Sequence, residues 1–177
     1  MADNDSDEVW NVLFLCTHNS ARSIIAECVM NRLGQGRFHD FSAGSAPRDE
    51  VHPFAVELLT QLNSDVTSLR PKSWKELSGS DAPHLDFVFM VCDQVALEPC
   101  PVWPGQPMTA HWGVPDPSLV QGTDAERRFA FADTHRMMNQ RISIFVSLPL
   151  ASLDKLRLQK ELDRIGQTSL ALDEPNQ

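Results

Sequence analysis

The sequence contains no tyrosine and only four cysteines, and its 15 lysines and arginines are outnumbered by 24 aspartates and glutamates. The net charge is therefore −9, and no block of basic residues occurs anywhere along the chain. A protein that binds duplex nucleic acid needs a basic surface to neutralise phosphates, so this class is excluded. An anionic substrate would need a local positive pocket.

Long hydrophobic runs are also missing. No apolar stretch approaches the roughly 18 residues that a membrane span requires. The opening "MADNDSDE" is acidic, whereas a signal peptide is basic and then apolar. We therefore expect a cytoplasmic protein with no membrane partner. In that reducing compartment the four cysteines are more typical of buried, metal-binding or redox-active thiols than of a structural disulfide framework.

The 177 residues, of which 42% are hydrophobic and 22% charged, have the composition of one globular domain. Strand signals at 9–15, 38–45, 86–92 and 108–114 alternate with helix signals at 21–34, 52–62, 123–147 and 152–165. This alternation predicts an α/β fold with a parallel sheet covered by helices on both faces. We expect a monomer with one catalytic domain over residues 9–166, between a flexible acidic start (1–8) and a flexible tail (167–177).

The stretch "FLCTHNSARSIIAE" (14–27) passes from a strand through small polar residues into a helix. Such a loop gathers main-chain N–H groups at the positive end of the helix dipole, where a tetrahedral oxyanion binds. The predicted oxyanion-binding residues are Thr17, His18, Asn19, Ser20, Ala21, Arg22 and Ser23. The Arg22 guanidinium can hold two oxygens at once. The same charges predict a lowered pKa for Cys16 and a nucleophilic thiolate.

The stretch "VLFLCTHNSARSIIAE" resembles the active-site loop of the low-molecular-weight protein tyrosine phosphatase superfamily, and "FSAGS" resembles its second strand. The segments "VCDQVALEPCPVWPG" and "HWGVPDPS" resemble the arsenate reductase branch of that superfamily. The resemblance covers about residues 10–147. It implies a four-stranded parallel sheet flanked by helices, with Cys16 as nucleophile, the loop 16–23 as oxyanion cradle and Arg22 as clamp.

Asp116 lies between two prolines in "WGVPDPS", just after a predicted strand. A turn stiffened by proline can hold a side chain over a crevice with little loss of entropy, although Asp before Pro is also an ordinary turn. The resemblance implies that Asp116 is the general acid that protonates the leaving oxygen.

Seven residues, "DQVALEP" (93–99), separate Cys92 from Cys100. Cys16 and Cys92 each close an apolar strand at the sheet edge where ligands bind, so we expect both thiols in one crevice. Paired thiols deliver two electrons by forming a disulfide. The mechanism that follows is a relay, and the family resemblance implies the same one. Cys16 attacks arsenate, and Cys92 attacks Cys16 as arsenite leaves. Cys100 then attacks Cys92 and carries the disulfide to a reducing partner.

Two departures from the family pattern bear on the ligand. Relatives that act on phosphotyrosine usually have an aromatic residue after the Asp-Pro pair, where this chain has Ser118, and this favours a small inorganic oxyanion. Some arsenate reductases of this type hold a cation beneath the loop. Asn19, Glu27 and Ser42 match that site, but no carboxylate is evident near "RPKSW" (70–74), so neither a metal nor any other bound cofactor is predicted.

The sequence leaves three functions open. The first is arsenate reduction for arsenic detoxification, with reducing equivalents from thioredoxin or from glutathione and glutaredoxin. The second is a phosphomonoester (tyrosine) phosphatase, because the loop chemistry is common to both reactions. The third is a non-catalytic module that senses an oxyanion or the redox state. Arsenate is the expected ligand, and phosphate or sulfate could occupy the same loop.

Overall fold

A computed structural model describes residues 8–93 and 103–168. The elements in chain order are β1 (Trp10–Cys16), α1 (Arg22–Gly34), β2 (Phe38–Gly44), α2 (Pro53–Gln61), β3 (Phe87–Met90), β4 (Met108–His111), α3 (Asp124–Val146) and α4 (Lys155–Gly166). Single 3-10 turns lie at Trp74–Leu77 and Pro117–Leu119. The strands pair in the order β2-β1-β3-β4, and every pairing is parallel. The predicted fold class is confirmed.

Strands β3 and β4 end earlier than the sequence predicts, since the apolar runs continue beyond the regular ladder. Main-chain hydrogen bonds still join the two loops to the sheet: Val91 N–H donates to the Leu15 carbonyl (2.9 Å), and Trp112 N–H donates to the Met90 carbonyl (2.7 Å). The chain after each strand therefore stays fixed against the carboxyl edge of the sheet, where a parallel sheet places its ligand crevice.

The central strand β1 is covered on both faces. Its residues from Val12 to Cys16 are at most 2% exposed. Because alternate residues of a strand point to opposite faces, burial of all of them requires packing on each side of the sheet. The backbone that leads into the loop is therefore rigid.

An aromatic cluster fills the core beside β3 and β4. The Phe89 and Trp112 rings stack at 3.7 Å between centroids, and the Phe145 ring of α3 meets both edge-on. The Trp112 indole N–H donates to the Leu162 carbonyl of α4 at 2.9 Å. Helices α3 and α4 are thereby fixed to the strands that carry the crevice.

The buried apolar side chains of the described residues form one cluster that extends from Val12 to Ile165. The division into one catalytic domain (9–166) with flexible ends stays a prediction, since residues 1–7 and 169–177 lie outside the described ranges. None of the helices within those ranges is long and apolar enough to cross a membrane.

Candidate active site

The loop between β1 and α1 is held in shape from outside. Its carbonyls accept hydrogen bonds from the segment 45–52, by the pairs Ser45 to Cys16, Ala46 to Thr17, Arg48 to His18 and His52 to Ser20, at 2.8–3.3 Å. With the carbonyls directed outwards, the opposite N–H side of these peptides faces the interior of the loop. The His18 N–H is hydrogen bonded to the Cys16 sulfur. The loop has the form of an anion-binding nest.

A close approach of two backbone segments fixes the base of the loop. Gly44, at the end of β2, pairs with Cys16, and a Cβ at position 44 would lie 2.6 Å from the Thr17 carbonyl oxygen. Only glycine leaves room for that carbonyl. Asn19 has a left-handed backbone (φ 47°), which asparagine adopts more readily than most residues. The glycine of "FSAGS" is therefore part of the loop's architecture.

Cys16 retains its proton more strongly than the sequence predicts. The hydrogen bond with the Cys92 side chain and burial of the sulfur raise the pKa of Cys16 far above its ordinary value, although the Arg22 charge and the His18 N–H act in the opposite direction. The prediction of a lowered pKa was wrong, because it considered the loop and the arginine but not a second thiol in contact with the first.

Cys92 lies against the floor of the loop. It is 1% exposed, its sulfur contacts that of Cys16, and the Thr17 hydroxyl lies 3.4 Å from the Cys92 sulfur. Asp93, the next residue, pairs with the His111 ring of β4 (2.9 Å) at the surface. Two sulfurs, one from the end of β1 and one from the loop after β3, therefore meet in one crevice.

Arg22 and Asp116 face each other across the mouth of the loop. An Arg22 nitrogen lies 3.4 Å from an Asp116 carboxylate oxygen, and another donates to the Val114 carbonyl at 3.3 Å. The Ser118 N–H and hydroxyl both donate to the second Asp116 oxygen, at 2.9 and 2.7 Å. This serine, which stands where phosphotyrosine-directed relatives have an aromatic ring, therefore orients the carboxylate.

The Asp116 carboxyl is ionised more readily than an ordinary aspartate. Burial raises its pKa, but the two hydrogen bonds from Ser118 and the positive charges of Arg22 and His18 outweigh burial and hold the pKa below its usual value. An oxyanion in the loop would attract the Arg22 guanidinium and bring negative charge close to this carboxylate. Both changes favour its protonated form.

The remaining predicted site residues are those of the loop and Cys100. The His18 ring points to the Ala46 carbonyl (3.3 Å), and the Asn19 side chain is buried and donates to the Ser23 hydroxyl (2.7 Å). These side chains hold the loop together, and their N–H groups as anion ligands stay a prediction. Cys100 lies outside the described residues.

Two residues of the site were missed in the sequence. Gly44 belongs to the motif "FSAGS", but the need for glycine arises from the close approach of the Thr17 carbonyl. No local pattern in the sequence encodes that approach. Lys72, in the segment "RPKSW" (70–74), donates its main-chain N–H to the Asn19 side-chain oxygen at 2.9 Å. A single lysine in a polar segment carries no signal of burial.

A parallel α/β sheet whose first strand ends in a cysteine, followed by a short polar loop and a helix that begins at Arg22, is typical of proteins that act on oxyanions through a cysteine. The family model described as low molecular weight phosphotyrosine protein phosphatase matches residues 11–161. The chain belongs to this family.

Within that family the chain is similar to proteins named as arsenate reductases. It is 28% identical over 134 residues to the arsenate reductase of Oceanobacillus iheyensis, covering 76% of this chain and 93% of that protein. The crystal structure of an arsenate reductase from Archaeoglobus fulgidus matches with a TM-score of 0.59 and 24% identity, over 77% of this chain and 99% of the other. A thioredoxin-dependent arsenate reductase from Corynebacterium glutamicum matches with a TM-score of 0.52 and 24% identity, over 79% and 65%.

Proposed function

We propose that this protein reduces arsenate to arsenite through its cysteines. The observation that carries the proposal is the contact between the Cys16 and Cys92 sulfurs at the floor of the oxyanion loop. A phosphatase needs only one of these sulfurs, whereas a reductase must supply two electrons, which paired thiols deliver as they form a disulfide. The similarity to proteins named arsenate reductase supports the same conclusion.

The first step is nucleophilic attack on arsenate held by the loop and by Arg22. A bond forms between the Cys16 sulfur and arsenic, and an As–O bond breaks. Asp116 donates the proton that lets the oxygen leave as water. The Arg22 fork holds the oxygens that carry the negative charge.

One proton serves both reacting groups. In the ligand-free site the raised pKa of Cys16 and the lowered pKa of Asp116 favour the proton on the thiol. The attack needs the reverse distribution, a thiolate and a carboxylic acid. Binding of the oxyanion favours the protonated form of Asp116, since it draws Arg22 away from that carboxylate and adds negative charge beside it.

The second step is the reduction itself. Cys92 attacks the Cys16 sulfur, a Cys16–Cys92 disulfide forms, and the S–As bond breaks with its electron pair moving to arsenic. Arsenic(V) thereby becomes arsenic(III) and leaves as arsenite, while the two sulfurs are oxidised. The contact between the two sulfurs supports a direct attack of one on the other.

The third step transfers the disulfide outward. Cys100 attacks Cys92, which frees Cys16 for another cycle and leaves a Cys92–Cys100 disulfide. A dithiol donor then reduces this disulfide. We assign thioredoxin as the donor, because it reduces exposed protein disulfides directly and a thioredoxin-dependent reductase shares the fold. Glutathione with glutaredoxin is the alternative.

The relay is tested by replacing each thiol in turn. We expect that Cys16→Ser, Cys92→Ser and Cys100→Ser each abolish multiple-turnover reduction of arsenate, measured as arsenate-dependent oxidation of NADPH with thioredoxin and its reductase. Only Cys16→Ser should also abolish hydrolysis of a phosphate ester. Cys28→Ser is the matched control: this thiol lies in α1, and burial raises its pKa to about 12.

Two results would contradict the proposal. Full turnover by Cys100→Ser with thioredoxin would exclude the three-thiol relay. After one equivalent of arsenate, disulfide mapping should find Cys92 joined to Cys100. A protein that forms no disulfide but hydrolyses phosphate esters is a phosphatase, and one that stops after a single turnover is a sensor. Running the assay with glutaredoxin and glutathione identifies the donor.

A further inference from the structure

The segment 70–73 passes directly beneath the oxyanion loop. The Gly44 N–H at the end of β2 donates to the Lys72 carbonyl at 2.9 Å, and Gly44 forms an isolated parallel bridge with Ser73. On its other side, Lys72 donates its own N–H to the Asn19 side-chain oxygen at 2.9 Å. Lys72 therefore lies between the second strand and the loop.

The Lys72 ammonium is turned inward to a small polar cluster. It lies 3.5 Å from the Ser42 hydroxyl oxygen and 3.1 Å from the Arg70 carbonyl. Ser42 is fully buried, and its hydroxyl donates a hydrogen bond to the Glu27 carboxylate of α1. A cation, a hydroxyl and a carboxylate thus form a chain that joins α1, β2 and the segment beneath the loop.

The two charges of this cluster compensate each other. Burial raises the pKa of Glu27, and the Lys72 charge and the Ser42 hydrogen bond oppose that rise. Burial lowers the pKa of Lys72, and the Glu27 charge opposes that fall. Each group makes the ionised form of the other less costly in a half-buried position.

The cluster reaches the loop through Asn19. This residue is fully buried and has a left-handed backbone, and its amide donates to the Ser23 hydroxyl at 2.7 Å. Its other side-chain atom, the oxygen, accepts from Lys72. The conformation of the loop at its most constrained residue therefore depends on where Lys72 is held.

A monovalent cation beneath the loop would need the oxygens of Asn19, Ser42 and Glu27 as ligands. In this chain the Asn19 and Ser42 oxygens both accept hydrogen bonds from Lys72, and the charge of Glu27 is already matched by the ammonium. Among the residues that the structure describes, no three His, Cys, Asp or Glu side chains are grouped as metal ligands. These residues do not fit an additional cation.

We propose that Lys72 is a positioning residue of the oxyanion loop and that it takes the place of a bound cation between Glu27, Ser42 and Asn19. Its ammonium supplies the positive charge, and its main-chain N–H fixes Asn19. The inference rests on the proposed function only in that the loop binds a tetrahedral oxyanion. Anion binding by the loop should therefore be independent of the kind of alkali cation in solution.

The test measures the Kd of inorganic phosphate for the reduced protein by calorimetry, at equal ionic strength in potassium, sodium or tetramethylammonium chloride. We expect the unmodified protein to bind phosphate equally, within twofold, in the three salts. Lys72→Met should weaken binding at least fivefold in sodium or tetramethylammonium chloride, and Lys72→Arg should recover part of the loss. Lys75→Met, an exposed lysine three residues further on, is the matched control and should bind as the unmodified protein does.

Two outcomes would overturn the inference. Phosphate binding by Lys72→Met that equals that of Lys75→Met would show that the lysine does not position the loop. Phosphate binding by the unmodified protein that is several-fold tighter in potassium than in sodium would show that a solution cation is required, and this measurement needs no variant to fold. Neither readout involves arsenate turnover, so a failure of the reductase proposal would be seen separately.

Discussion

The position of one proton governs the reactivity of Cys16. The sulfur is buried and shares a hydrogen bond with Cys92, and these two causes raise its pKa above the ordinary thiol value despite the nearby Arg22. A group whose pKa is raised stays protonated to higher pH, so burial and the contact with Cys92 favour the thiol form of Cys16 in the ligand-free site.

Replacing Cys92 should therefore make Cys16 more acidic. In Cys92→Ala the largest cause of the raised pKa is removed, whereas Arg22 and the His18 N–H remain, so the pKa of Cys16 should fall. The measurement is the pH titration of thiolate absorbance in the ultraviolet, taken as the difference between each protein and its Cys16→Ser counterpart. An unchanged titration of Cys16 would show that the second sulfur does not control the first.

Gly44→Ala tests the close approach at the base of the loop. The added methyl would lie 2.6 Å from the Thr17 carbonyl oxygen, which is backbone and has to move. Overpacking of this kind costs about 1–3 kcal/mol, which corresponds to a loss of phosphate affinity of about 5- to 150-fold if the loop bears the displacement. Gly79→Ala is the control, because a Cβ there meets nothing within 4 Å. Equal phosphate affinities for the two variants would show that the loop tolerates the methyl.

At the scale of elements, helix α3 supports the segment that leads to Asp116. Arg141 is 1% exposed, and its guanidinium donates to the carbonyls of Trp112, Gly113 and Gly166. Burial lowers the pKa of Arg141. One side chain thus links α3, the chain after β4 and the end of α4.

Arg141→Met should destabilise the protein by about 2–4 kcal/mol, because it leaves buried carbonyls without donors and hydrogen bonds from charged groups contribute about 1.5–3 kcal/mol each. The free energy of unfolding in urea measures this loss. Arg136→Met removes a surface ion pair of the same helix, Arg136 with Asp133 at 2.8 Å, and should cost about 0.5 kcal/mol or less. A similar small change in the free energy of unfolding for both variants would mean that the carbonyls of Trp112, Gly113 and Gly166 find other donors.

At the scale of the whole molecule, the fold is one packed unit between β1 and α4. All buried apolar residues of the described ranges lie between Val12 and Ile165, and the Gln167 N–H caps the end of α4. We predict that this unit folds without residues 1–8 and 169–177.

A chain trimmed to residues 9–168 should unfold in a single thermal transition. Its midpoint should lie within about 3 °C of the full chain, which corresponds to roughly 1 kcal/mol for a protein of this size. Phosphate binding should be unchanged within twofold, as calorimetry would show. A much lower midpoint would indicate that an end packs on the domain, and the predicted domain bounds would then be wrong.

The sequence by itself determined the alternation of elements, the parallel sheet and the loop with Cys16 and Arg22. These features are local: apolar runs of strand length, helical periodicity and a polar break at a strand-to-helix junction each lie within a few neighbouring residues. These features did not depend on distant contacts, and the ends of the predicted helices α1 to α4 accordingly differ from those in the structure by at most three residues.

Only the tertiary structure decided the proton on Cys16, the need for glycine at position 44 and the place of Lys72 beneath the loop. Each of these depends on atoms that are 27 to 76 positions apart in the chain and that meet because parallel strands bring their carboxyl ends to one edge. The pKa of Cys16, the need for glycine at position 44 and the half-buried position of the Lys72 ammonium all follow from contacts between distant segments. No single stretch of the sequence encodes those contacts.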